Sequence, residues 1–174
     1  MDLSQLTNQP ERTVEIGGKP YQFGELPIDA LGRLQAWIKA HVPHPLDAVK
    51  GHLDGLSEAD RRYLLEQARQ EARQWPPVIG TAAGAAALLS TEAGQLAAFA
   101  EGLRVHQPAA TDKDAAALFK RLRADAAKAA AAAAKAGRQY DGEGPARDIF
   151  AVLFGLDPRD HDDDDGDGEN LPKS

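Results

Sequence analysis

The chain has 174 residues, enough for one domain with a proper core, and no cysteine, which excludes disulfides and thiolate zinc sites and fits a reducing, cytosolic setting. Its formal net charge is −7, but residues 157–174 hold eight acids against two bases, whereas residues 1–156 hold nineteen against eighteen. The body is therefore close to neutral, and the acidity belongs to the C-terminal end.

Residues 1–12, MDLSQLTNQPER, lack the basic start and apolar core of a secretory signal, and their polarity predicts a flexible arm. From Thr13 the pattern changes. Val14-Glu15-Ile16 and Tyr21-Gln22-Phe23 alternate around Gly17-Gly18, which suits a tight primed turn. That turn sets Ile16 opposite Lys19, Val14 opposite Tyr21 and Arg12 opposite Phe23, so the apolar side chains share one face. Pro20 falls on the other face and marks its strand as an edge. A lone hairpin is marginal in water. The segment after Pro27, with Leu31, Leu34 and Ile38 at helical spacing and Trp37 beside them, is predicted to cover it.

Pro43 and Pro45 break that helix, and Pro45 then opens a short one carrying Leu46, Val49 and Leu53, closed by Asp54-Gly55. Ser57 and Asp60 form a capping-box variant for a helix to about Trp75, with Tyr63, Leu64, Ala68, Ala72 and Trp75 as its expected buried stripe. Pro76-Pro77 ends it and divides the chain near its middle. An Ala-rich helix follows over 81–89. Ser90 or Thr91 caps the next, whose apolar face is Leu96, Phe99, Ala100 and Leu103. Thr111 and Asp114 open a long helix to about Gly137. Its first half buries Leu118, Phe119 and Leu122, while its second half, AAKAAAAAAKAG, has helix propensity but little apolar bulk. After DGEGP comes a short apolar helix, Ala146 to Phe154. Residues 157–174 are predicted to be a disordered acidic tail by composition. The fold class predicted is mainly α: an N-terminal β-hairpin packed on a compact bundle of about six or seven helices, within one domain over 13–156. The longest weakly polar run, Val78 to Leu89, is too short to span a bilayer, and no membrane association is expected.

Candidate chemistry is sparse. His41, His44 and His52, with Asp47 and Asp54, allow a metal site to be drawn, but prolines set their spacing and the two-histidine helical pattern is missing. Asp163 to Gly168 matches the start of a calcium loop, yet the twelfth position is Ser174, where a bidentate Glu is needed. Gly80-Thr-Ala-Ala-Gly84 lacks the Lys-Ser/Thr ending that grips phosphate. Seven basic residues lie between Lys113 and Arg138, offset by three aspartates; without interleaved aromatics, a solvated face is favoured over phosphate binding. An acidic tail on the same chain could occupy this helix in cis. Neither catalysis nor a cofactor is expected.

The stretch VEIGGKPYQFGELPIDALGRLQAWI resembles the start of tail assembly chaperones of long-tailed bacteriophages and prophages, and FAEGLRVHQPAATDKDAAALFKRL is similar to their helix, His-x-Pro, Thr-Asp cap, helix arrangement. The resemblance covers about 13–125. The poly-Ala half-helix and the Asp-rich end lie outside it. It implies a noncatalytic protein of the host cytoplasm, absent from the mature virion, that binds the tape measure protein and also recruits tail tube subunits. The partner-binding residues expected are Ile149, Phe150, Leu153 and Phe154 on the last helix, with Ala129 and Ala133 on the Ala-rich half-helix. Two further readings stand beside it: a small nucleic-acid-associated protein using the basic helix 113–138, and a structural subunit of a phage particle.

Overall fold

The computed structural model describes residues 11–137 and 144–155. The expected arm over residues 1–10, most of the DGEGP linker and the acidic tail lie outside the described residues. Within them the chain is mainly helical, with an N-terminal two-stranded antiparallel hairpin.

The hairpin pairs β1 (Arg12–Ile16) with β2 (Lys19–Phe23) in the register that the alternation and the Gly-Gly turn require: Ile16 opposite Lys19, Val14 opposite Tyr21, Arg12 opposite Phe23. Gly17 and Gly18 have φ of 62° and 78°, the conformation of a primed turn that a side chain would strain. Gly17 is needed for a second reason, since a Cβ there would meet the Arg121 side chain, which lies across the turn. Val14, Ile16 and Phe23 are buried and Tyr21 is half-buried, so the apolar face is the covered one.

Seven helices follow: α1 (Ile28–His41), α2 (Pro45–Lys50), α3 (Glu58–Ala72), α4 (Ala82–Leu89), α5 (Glu92–His106), α6 (Asp112–Lys135) and α7 (Gly144–Leu153). Their starts are set by short polar side chains. Ser57, Thr81, Thr91 and Thr111 each accept a hydrogen bond from the backbone N–H three residues on. At Thr111 the box is reciprocal, because the Asp114 carboxylate accepts from the Thr111 N–H at 3.0 Å. At Ser57 it is not: the Asp60 carboxylate takes the Ser57 hydroxyl at 2.6 Å instead.

The helix at the centre is α5. It packs against α1, α4, α6, α7 and β2, and Phe99 sits between Phe23 and Phe119 with ring centroids 5.3 and 5.4 Å away. Such spacing and tilt suit aromatic pairs. The expectation that α1 covers the hairpin is corrected here. The hairpin packs on α5, α6 and α7, while α1 lies against α4 and α5 through Ala30, Leu34 and Ile38. The chain is turned away between them, where the Leu26 N–H donates to the Leu153 carbonyl at 3.1 Å.

A second correction concerns α3. Of its expected stripe only Ala68 is buried, and Tyr63 is 63% exposed. The reason is that α2 and α3 pack on each other and on no other element. They form a helical arm outside the main core. Its base is clasped by an edge contact of His44 on Trp75, and the returning chain is held by Gln35, which donates to the Pro77 carbonyl and accepts from the Ile79 N–H.

Close helix approaches depend on three glycines. A Cβ at Gly102 would sit 2.3 Å from a Leu153 methyl, one at Gly94 1.8 Å from the Leu88 carbonyl oxygen, and one at Gly84 2.0 Å from that of Val78. Gly84 and Gly94 occupy the same place, three residues after a capping threonine and beneath the carbonyl of the preceding segment. By contrast, a Cβ at Gly32 on α1 meets nothing within 4 Å. Gly32→Ala should therefore stabilise the protein by about 0.5–1 kcal/mol, since it only relieves backbone entropy. Gly94→Ala should cost at least about 1–3 kcal/mol through overpacking. Urea denaturation of both variants measures the contrast, and equal effects would contradict the packing described.

The thriftiest check on the α6 cap is its acid response. Hydrogen bonds from the Thr111 hydroxyl and backbone hold the Asp114 carboxyl below its ordinary value of 3.8. A lowered folded pKa contributes stability that is present above the unfolded value and lost as pH falls through the folded one. The stability gap between the native chain and Asp114→Asn should thus be open at pH 6 and close below about pH 4, read from thermal melts across that range.

Candidate functional site

The residues expected to bind a partner divide into two groups. Ile149 and Leu153 are fully buried among the chain's own core residues, and Phe150 and Phe154 are half-buried against it. This corrects the expectation for α7: its apolar side is docked on α5, α6 and both strands, so it is already covered. An ion pair between Arg12 and Asp148 fixes it to β1. Ala129 is exposed and Ala133 half-buried, on the distal half of α6. There Ala126, Ala130 and Ala133 continue the line of Ala115, Phe119 and Leu122, beyond the part of the helix that is buried. With 24 residues, α6 is about 36 Å long.

The arm offers a second surface with apolar content. Leu46, Val49, Leu53, Leu64 and Leu65 are all half-buried, Tyr63 is exposed, and among α2 and α3 only Ala68 is buried. Charges on the remaining faces of α3 are balanced, with Glu58–Arg62 and Glu66–Arg69 pairs. Exposed pairs of this kind add at most a few tenths of a kcal/mol each. The arm therefore presents a strip of leucine side chains flanked by a neutral polar surface.

A cleft of about 300 Å³ lies between α1 and α5, lined on one side by Trp37, Leu96 and Ala97 and on the other by Arg33, Arg104 and Asp112. Beneath it is Glu101, 7% exposed, a buried carboxylate that the sequence reading did not single out. One of its oxygens accepts from Arg33 at 2.8 and 2.9 Å, the other from Arg104 at 2.9 Å. Arg33 also meets Asp29 at 2.8 Å, and Arg104 meets Asp112. These hydrogen bonds, that to Glu101 foremost, raise the Arg33 guanidinium above its ordinary value, and Arg33 in turn lowers Asp29. With three carboxylates on two guanidiniums, the network is self-satisfied. It braces α1 on α5 and leaves no unmet positive charge for an anionic ligand.

The three histidines serve local roles and do not converge. His41 stacks on Trp37 at 4.4 Å, His44 caps α2 by accepting from the Leu46 N–H at 3.3 Å, and His52 is exposed beyond its end. Among the described residues no three His, Cys, Asp or Glu side chains group as a metal site, and no helix is long and apolar enough to cross a membrane. The calcium-loop-like run lies outside the described residues. Gly80 to Gly84, considered as a phosphate loop, is the N-terminus of α4, with Gly84 pressed under the Val78 carbonyl.

No family model, curated protein or solved structure matches this chain. The functional reading accordingly stands on the residues and their arrangement.

Glu101 gives a direct test of the brace. Glu101→Gln leaves Arg33 and Arg104 facing one another without their shared counter-charge. With both arginines in contact with solvent, the loss should be about 1–3 kcal/mol, below the range for a fully enclosed pair. Chemical denaturation reads it, and a loss under about 0.3 kcal/mol would remove the brace from the account.

Proposed function

We propose that the protein is a noncatalytic binding protein of the tail-assembly chaperone type, acting in the cytoplasm of a phage-infected or prophage-carrying host. Its partner is a long helical polypeptide with apolar stripes, the tape measure protein in that setting. The single observation that carries this reading is the arm. A hairpin of two helices is marginal by itself, and here Tyr63 is 63% exposed while five aliphatic side chains remain incompletely buried. A partner helix laid along α2 and α3 would complete a three-helix unit by the helix-in-groove mode. Burial there is worth about 25 cal/mol per Å² of apolar surface, before the costs of association. The distal half of α6 supplies a second helical surface, where small side chains allow close approach. With α7 committed to the core, the arm replaces it as the main contact region.

A second reading, polyanion binding through the basic residues of α6, has one observation in its favour: five of them, Lys113, Lys120, Arg121, Lys128 and Lys135, lie exposed on one side of the helix. The two differ in salt response, because phosphate contacts weaken steeply with salt and apolar capture does not.

Co-expression with a helical fragment of the tape measure protein encoded beside it, followed by size-exclusion chromatography, tests the first reading. A complex should form and persist at 0.5 M salt, as expected when salt screens only exposed charges. Tyr63→Glu should leave folding stability within about 0.5 kcal/mol, since the side chain is exposed, yet weaken the complex at least tenfold. Absence of a complex, or a complex indifferent to Tyr63→Glu, would sink the proposal as stated.

A further inference from the structure

The basic residues of α6 are not scattered. Arg121, Lys128 and Lys135 recur every seventh residue, close to two helical turns, and Lys113 and Lys120 form the adjacent row with the same spacing. All five are exposed, on the side of α6 away from Ala115, Phe119 and Leu122, with Arg121 lying over the Gly17 turn. Among the described residues none of the five takes part in an ion pair, whereas Arg123, on another side of the helix, is paired with Glu92 at 2.5 Å. Asp114 and Asp125 flank the rows, and Asp114 is occupied by the Thr111 cap. The result is an excess of positive charge along a protein body that is otherwise near neutral. On α3, by contrast, four acids offset three bases.

The complementary charge is on the same chain. Residues 157–174 contain eight acids, with Asp162, Asp163, Asp164 and Asp165 consecutive. The linker before the aspartates is as long as the basic row. The described chain ends at Gly155, at the close of α7, which packs directly on α6. Seven residue steps separate Gly155 from Asp162, about 23 Å when extended. The row from Arg121 to Lys135 runs about 21 Å along the helix. Attachment to the same chain raises the local concentration of the acidic segment to the millimolar range, enough for weak, solvent-screened ion pairs to be populated.

We propose that the acidic segment 157–174 lies in cis along the exposed basic face of α6 and shields it from polyanions. The proposal goes beyond the partner reading and does not rest on it, since the face involved is opposite the α6 surface offered to a helix. Nucleic acid is thereby kept from a surface that would otherwise attract it.

Two measurements on the full chain decide it. Zero-length carbodiimide cross-linking of a mixture of 15N-labelled and unlabelled protein should join Asp162–Asp165 to Lys128 or Lys135 within single chains, fading at 0.5 M salt. Cross-links spread equally over Lys19, Lys39 and Lys50, or formed only between chains, would overturn the proposal. The second measurement is a double-mutant cycle read as affinity for a 20-base-pair DNA duplex. The combined D162N, D163N, D164N and D165N substitutions should tighten binding about tenfold in the native background and less than about twofold when K128Q and K135Q are also present. An equal change in both backgrounds, none included, overturns it.

Discussion

Burial of α5 on nearly every side is the constraint from which the rest of the structure follows. Its surface carries only small or flat residues where neighbours come closest. Gly94 admits the carbonyl of α4 and Gly102 admits Leu153 of α7, while Ala98 and Ala100 are small and buried beside them. Phe99 and Leu103 then provide the bulk that β2 and α6 close upon. Interiors are packed to crystal-like density, so one added methyl at such a contact must displace a helix. A helix buried this thoroughly must also dispose of its polar residues. Glu101 is enclosed because two arginines from α1 and α5 itself meet both of its oxygens, which turns a costly burial into a cross-brace.

Seen from that helix, the molecule has two grades of order. The hairpin and helices α1, α4, α5, α6 and α7 share one core. The α2–α3 arm has a small core of its own, and the Gln35 amide ties its return to α1. Local stability is set by how many apolar contacts an element makes, so the arm is the part best suited to change on binding. That placement separates the two kinds of surface the protein offers. The arm combines Tyr63 and partly covered leucines with nearly balanced charge, whereas the outer face of α6 carries unbalanced positive charge and almost no apolar content.

The resemblance to phage tail assembly chaperones was carried by the hairpin with its following helix, and by the helix, His-x-Pro, Thr-Asp cap and helix run. Both segments lie in the main core and bear on architecture: Phe23 closes on α5, Val14 joins the same core from β1, and Thr111 starts α6. His106, in the second segment, is half-buried with its Nε2 against Gly24. The surface proposed for a partner, Tyr63 and its leucine neighbours, comes from a segment that resemblance included but did not distinguish.

Whatever depended on nearest neighbours along the chain could be read from the residues alone. The hairpin register followed from alternation and Gly-Gly, because alternation requires Val14, Ile16, Tyr21 and Phe23 on one face and the two-residue turn selects one such pairing. The caps at Ser57 and Thr111 followed from hydroxyls three residues before the donor they satisfy, while of Ser90 and Thr91 the structure uses Thr91. Tertiary structure alone decided what each apolar face would meet. The same periodicity that marks Ile149 and Leu153 as apolar is satisfied equally by a partner or by α5, and it was satisfied by α5. The stripe on α3 looks like any buried stripe, yet it stands off the core because Gln35 and the Pro76-Pro77 segment fix where the arm returns. Glu101 reads as a surface residue until Arg33, 68 positions away, is brought against it. Sequence pattern states that a side chain must leave water, and only long-range packing determines the surface that receives it.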